Sequence, residues 1–231
     1  MYDFLSFSYG IYMLFKKKNV TFASRIIINM IYFIKRSVVW LRRAQYSRGF
    51  GVQSPWAYKF IRYVVNEHYP YYKYAQLKQQ VYGINKRVRK LCRLYFRIAN
   101  FQQPHSFIDY LPFSSCYKIY TLAGAKKTLY QLISQDTTPE SYTRILAEVG
   151  DNSIVRASLR GNYREFIDKA IALLPSTSVL ILEHIKRNKE TEAYWKSLVA
   201  DDRTGITFDL YYCGLIFLDK TMIKQDYIVN F

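Results

Sequence analysis

The sequence predicts an α/β domain preceded by a basic helical segment, and three observations lead there. After residue 100 short apolar runs alternate with segments of helical periodicity, the pattern of strands and helices sharing one sheet. The last three apolar runs follow one another without helices between them, so the C-terminal edge of that sheet is expected to be antiparallel. Before residue 100 the texture is helical and one-sidedly basic: residues 1–100 carry 19 Lys and Arg against 2 Asp and Glu, whereas residues 101–231 carry 15 of each. The chain is thus expected to divide into a basic helical extension, 1–100, and an α/β domain, 101–231.

Residues 1–15 are largely apolar and are followed by Lys16, Lys17 and Lys18, the reverse of the order in a secretory signal. The apolar run 26–34 is too short to span a bilayer. Residues 24–46 read as an amphipathic helix, with Ile27, Ile31, Ile34, Val38 and Leu41 on one side, Arg25, Arg36 and Arg43 on another, and Lys35 and Arg42 flanking. Such a stripe is expected to pack on the protein's own core; the alternative is a basic amphipathic helix lying on a membrane or in a partner's groove. A second basic helix places Lys86, Lys90, Arg93 and Arg97 on one face and Val88, Leu91, Tyr95 and Ile98 on the other. The run Tyr69-Pro70-Tyr71-Tyr72-Lys73-Tyr74 could offer stacking platforms for bases.

In the second part, strands are expected at 107–111, 118–122, 154–158, 179–183, 206–211, 215–218 and 227–231, and helices at 125–135, 140–149, 163–174 and 188–199. Pro175 should end the third of these helices, because proline cannot continue its hydrogen bonding.

Composition excludes several classes. Half the residues are apolar and 18% aromatic, so the basic half is no disordered tail. Cys92, Cys116 and Cys213 are odd in number and far apart, and His68, His105 and His184 are scattered, which gives neither a disulfide framework nor metal-ligand spacing. The expected setting is reducing and cytoplasmic, with docking at the inner membrane surface as an option. The charge points to an acidic partner, either membrane or nucleic acid; a homo-oligomer is a further option.

Three stretches carry a resemblance. Gly51-Val52-Gln53-Ser54-Pro55-Trp56-Ala57-Tyr58-Lys59-Phe60-Ile61 is similar to an H-G-x-H-S-P-F segment. Residues 185–190 with Glu192, Ala193 and Trp195 follow the spacing of D-D-I-H-W-S-x-E-M-E-x-A-W. Thr207-Phe208-Asp209-Leu210-Tyr211, Gly214-Leu215-Ile216-Phe217 and Lys224-Gln225-Asp226-Tyr227 complete it. Over residues 48–231 the chain resembles a bacterial family of class I S-adenosylmethionine (SAM) dependent methyltransferases. The resemblance implies a three-layer, Rossmann-like sheet and SAM as cofactor, with Asp109, Gly124, Glu183 and His184 in the cofactor-binding region.

At the cofactor motifs the sequence departs from that family. Where E-x-G-x-x-x-G is expected it reads Asp109-Tyr110-Leu111-Pro112-Phe113-Ser114-Ser115, which lacks both glycines and loses an N–H at Pro112. Only Cys116 and Tyr117 separate this turn from the expected strand at 118–122, so the first crossover helix is expected to be missing. Ala123 then stands where an acidic residue should take the ribose hydroxyls, Ala157-Ser158-Leu159 replaces I-D-G, and Glu183 and His184 replace paired aspartates. Losing two charged hydrogen bonds weakens binding by roughly a hundredfold to ten-thousandfold. The expectation is a pseudoenzyme with no cofactor, acting by binding through its basic half. The alternative is a working SAM-dependent enzyme with an unusual pocket, in which Glu183 raises the pKa of His184 as general base. The structural reading of that pair is two solvated residues at a strand-to-helix turn.

Overall fold

The computed structural model describes residues 22–46, 49–81 and 83–231, with side chains from Met30 onward apart from Tyr32. The run 1–15 and Lys16 to Lys18 lie outside the described residues. Among the described residues six elements precede the sheet: helix α1 (Phe22–Arg42), a 3₁₀ turn (Ala44–Tyr46), α2 (Pro55–Phe60) running into a π-helical segment (Ile61–Val65), α3 (Lys73–Gln80) and α4 (Lys86–Gln102). Then follow β1 (Ser106–Tyr110), α5 (Cys116–Gly124), β2 (Leu129–Ile133), α6 (Pro139–Ala147), β3 (Ile154–Ser158), α7 (Tyr163–Leu173), β4 (Val179–Glu183) and α8 (Lys189–Ala200). The strands β5 (Thr207–Asp209), β6 (Cys213–Phe217) and β7 (Asp226–Ile228) close the chain.

The strands form one seven-stranded, Rossmann-like sheet in the order β2-β1-β3-β4-β6-β5-β7. β2, β1, β3 and β4 are parallel, and β6 runs antiparallel to both β4 and β5. The expected antiparallel edge is therefore present, although β7 pairs in parallel with β5. β1, β3 and β4 are buried along their whole length, as parallel strands covered on both faces must be. Ile108, Val155, Leu180 and Leu182 face Leu146, Phe166, Ile167 and Leu198 of α6, α7 and α8. Alternate residues Phe107, Ile154, Val179 and Ile181 face Phe60, Leu91, Tyr95 and Tyr117 of α2, α4 and α5. The elements from α2 to α4 thus share a core with the sheet.

Two expected elements are exchanged. Residues 118–122 lie in helix α5, and residues 125–135 contain strand β2. Cys116, Tyr117, Tyr120 and Thr121 make a buried stripe at helical spacing, in a segment whose Tyr, Ile and Thr suggest a strand. In 125–135 the Ala, Lys, Leu and Gln favour helix locally, but pairing with β1 overrides that preference. The crossover helix expected to be missing is α5 itself. The other helices follow their local signals: Asn85 accepts the Val88 N–H to cap α4, Asn188 and Thr191 form a capping box on α8, and Leu174, next to Pro175, is extended.

The expectation for α1 is also reversed. Its apolar residues Ile31, Ile34, Val38 and Leu41 are exposed, and the helix is tied down from its basic side. Arg43 bonds the Asp209 carboxylate at 2.8 Å and the carbonyls of Asp209 and Val229, and the Asn230 amide donates to the Trp40 carbonyl.

Candidate functional site

Strand order reverses between β1 and β3, and in open α/β sheets the crevice outside the carboxyl ends at that point is where ligands bind. Its walls are the loops 111–115 after β1 and 159–162 after β3. The two loops touch. A Cβ on Gly161, whose φ is +61°, would lie 3.2 Å from the Leu111 side chain. The Arg160 guanidinium lies 5.4 Å from the Phe113 ring centre. Leu111 itself is left-handed, at φ 47°, a conformation more often taken by glycine.

Beneath this edge lies a buried ionic cluster centred on Arg156, whose side chain is 0% exposed. The β pairing sets Asp109 beside Arg156, and Glu183 emerges on the same sheet face one strand further on. Arg156 Nη1 bonds Asp109 Oδ1 at 2.7 Å and the Tyr110 carbonyl at 3.1 Å, while its Nε bonds Glu183 Oε1 at 3.0 Å. The guanidinium also sits 4.8 Å from the Tyr117 ring centre. Phenols occupy the remaining carboxylate positions: Tyr130 donates to Asp109, and Tyr95 and Tyr117 donate to Glu183.

This arrangement fixes protonation states. Burial works against ionised Glu183, but the charges of Arg156 and His184 and the hydrogen bonds from Arg156 and Tyr95 outweigh it and hold the carboxyl at about 2. For Asp109 burial prevails over Arg156 and Tyr130, and its pKa is raised. His184 is lowered to about 3 by burial and by the charges of Arg87, Arg160 and Arg156, against the pull of Glu183. The expectation that Glu183 raises His184 into the range of a general base is therefore corrected. Nor are the two solvated turn residues: Glu183 is buried, and His184 is half-buried at φ 70° with Nδ1 3.2 Å from Ser158 Oγ.

Gly124 is at the other end of the sheet. It closes α5 where that helix crosses α4, and a Cβ there would lie 2.3 Å from the Phe96 carbonyl oxygen, so it serves packing. Ala123 belongs to the same helix end, where its carbonyl accepts from Lys73. The residues that follow β2 are Ser134, Gln135 and the exposed Asp136.

The residues present do not fit SAM as the sequence resemblance places it. The Asp109 and Glu183 carboxylates are engaged by Arg156, Tyr130, Tyr95 and Tyr117, Ala123 has no carboxylate for the ribose hydroxyls, and the crevice above the cluster is bridged by Leu111 against Gly161. Arg156 and its three tyrosines were not singled out from the sequence. The available signal was a set of opposite charges, Asp109, Arg156 and Glu183, inside three runs otherwise fit for buried strands.

The expected anion-binding residues scatter. Arg97 is buried and donates to the Val64 and Val65 carbonyls at the end of the π segment. Lys90 stands 4.1 Å from the Phe231 ring centre, its pKa lowered to about 8 by burial and by the neighbouring charges of Arg36 and Arg97. Arg93 lies over Tyr74 and Arg43 holds Asp209, leaving Lys86 and Arg36 exposed. Arg25 is on α1, with its side chain outside the described set. Of the expected stacking run, Tyr71 and Tyr74 pack on Phe96, whereas Tyr69 and Tyr72 are exposed.

No family model matches this sequence, and no curated protein matches it. Among solved structures, the chain is similar to the MycE methyltransferase of the mycinamycin biosynthetic pathway, solved with Mg and SAH, at 10% identity and TM-score 0.47 over 63% of this chain and 48% of that one. It therefore spans about half the length of MycE. It is also similar to SAH-bound Podospora anserina methyltransferase PaMTH1, at 10% identity and TM-score 0.42 over 67% of this chain and 99% of that one. A third similar structure is precorrin-6y C5,15-methyltransferase from Geobacter metallireducens, at 12% identity and TM-score 0.41 over 60% of this chain and 92% of that one. At these scores the likenesses bear on no point of chemistry.

Proposed function

We propose that this chain is a methyltransferase-like Rossmann domain that transfers no methyl group and acts by binding, with its basic N-terminal half as the working surface. The observation that supports it is Arg156, which engages the two carboxylates that the family resemblance offers to a cofactor. Both carboxylates take their hydrogen bonds from this Arg and three phenols, and removing it would leave buried charge unpaired. Function resides in the site and not in the fold, so a retained sheet does not carry activity with it.

One observation favours a second reading, a working SAM-dependent enzyme. The acidic position missing at Ala123 reappears at Asp136, exposed just after the true β2. Incubation with labelled SAM and cell extract separates the two. The proposal expects no labelled product. A product that is lost in an Asp136→Ala variant would install the enzyme instead.

A further inference from the structure

The outward face of α1 is apolar. At about 100° per residue, Trp40, Phe33, Met30, Leu41, Ile34, Val38 and Ile31 fall in one arc of roughly 180°, with the half-buried Ser37 the one polar residue inside it among those with described side chains. All seven are exposed, from 39% at Ile31 to 68% at Phe33. The opposite arc holds Lys35, Val39 and Arg43, which are half-buried, with Arg36 and Arg42 exposed. A surface helix normally buries the apolar side and exposes the charged one; this helix is anchored through Arg43 and the Trp40 carbonyl with the apolar side away from the protein.

Charge selects the occupant of that face. Between Asp3 and Glu67 the chain has no acidic residue. Arg87 is close enough to α1 to lower the pKa of Lys35, secondary to burial, and Arg36 does the same to Lys90. An apolar ridge flanked by positive charge matches the boundary between acyl chains and anionic headgroups, where apolar burial and charge attraction add. A second copy of the same face would bring like charges together. Nucleic acid would leave the apolar ridge in water. No described helix is long and apolar enough to cross a membrane. We infer that α1 lies flat on an anionic lipid bilayer with Phe33, Ile34, Trp40 and Leu41 inserted and Arg36 and Arg42 at the headgroups. This deepens the proposed binding role and names its partner.

Co-sedimentation of the full chain with vesicles of phosphatidylcholine, with and without 30% phosphatidylglycerol (a trial composition of about that fraction), tests it. Binding is expected to the anionic vesicles, at least about tenfold weaker to the neutral ones, and weakened by salt. A Phe33→Asp plus Leu41→Asp variant, altered at two exposed positions, should keep its thermal midpoint and lose at least about tenfold in vesicle affinity. Equal pelleting of variant and wild type, or no pelleting at all, overturns the inference. So does wild-type dimerisation abolished by the variant without vesicle binding, or tight RNA binding that the variant retains while vesicles are ignored. Vesicle binding and SAM binding are read separately, so failure here leaves the non-catalytic reading to its own test.

Discussion

The ionic cluster under the sheet edge and the outward face of α1 break the usual rule of burial in opposite senses. Around Arg156 charge is inside the protein, and along α1 apolar surface is outside it. In the first region each carboxylate of Asp109 and Glu183 meets a guanidinium and at least one phenol, while Arg156 Nη2 is buried without a hydrogen-bond partner. The second has no partner within the described chain. A buried network whose carboxylates are hydrogen-bonded rigidifies a core, whereas an exposed apolar face invites an interaction.

The sharpest way to break this contrast is Arg156→Met. It leaves two buried carboxylates facing each other and should cost about 3–5 kcal/mol of stability in denaturant melts; a loss under about 1 kcal/mol would mean the cluster is solvated. Gly124→Ala comes next, at about 1–3 kcal/mol, because its methyl meets the Phe96 carbonyl of a neighbouring helix. A neutral result would dissolve the close crossing of α4 and α5.

Acid supplies the third test. The His184 pKa is lowered from 6.5 to about 3, so the unfolded chain takes up this proton first. Stability present above pH 6.5 should fall as pH drops from there toward 3, by up to about 1.4 kcal/mol per pH unit. Glu183, lowered from 4.5 to about 2, adds to the loss below 4.5, while the raised Asp109 opposes it. A His184→Asn variant should flatten the slope between pH 6.5 and 4.5; an unchanged slope assigns it elsewhere.

Smaller still, Arg43→Ala should cost about 1–2 kcal/mol by unpairing α1 from Asp209, whose carboxylate keeps Lys186. Proteolysis near α1 should quicken while the sheet stays protected. The smallest effect is expected on α1's outer face, where Phe33→Asp should move stability by no more than about 0.5 kcal/mol. A larger loss would show that Phe33 packs on the protein.

Much of the sheet was legible in the sequence because 154–158 and 179–183 are largely apolar runs of strand length, each carrying one charged residue, and because Pro175 ends a helix by chemistry alone. The exchange of α5 and β2 was not legible: both segments carry propensities opposed to the pairing that tertiary contacts impose. That single error removed a crossover helix and misplaced the acidic position by more than ten residues, from Ala123 to Asp136. Asp109, Glu183 and His184 are expected from the sequence in a cofactor region, but their packing depends on Arg156, and one sequence does not say which of two faces a strand residue meets. On α1 the periodicity revealed two faces and left open which one the fold would cover.

Calorimetric titration of the folded protein with SAM and with S-adenosylhomocysteine tests the central claim most directly. No heat up to millimolar ligand is the predicted result. Micromolar binding of either would contradict it, and would require the loops at Leu111 and Gly161 to part over a cluster whose carboxylates are already held by Arg156.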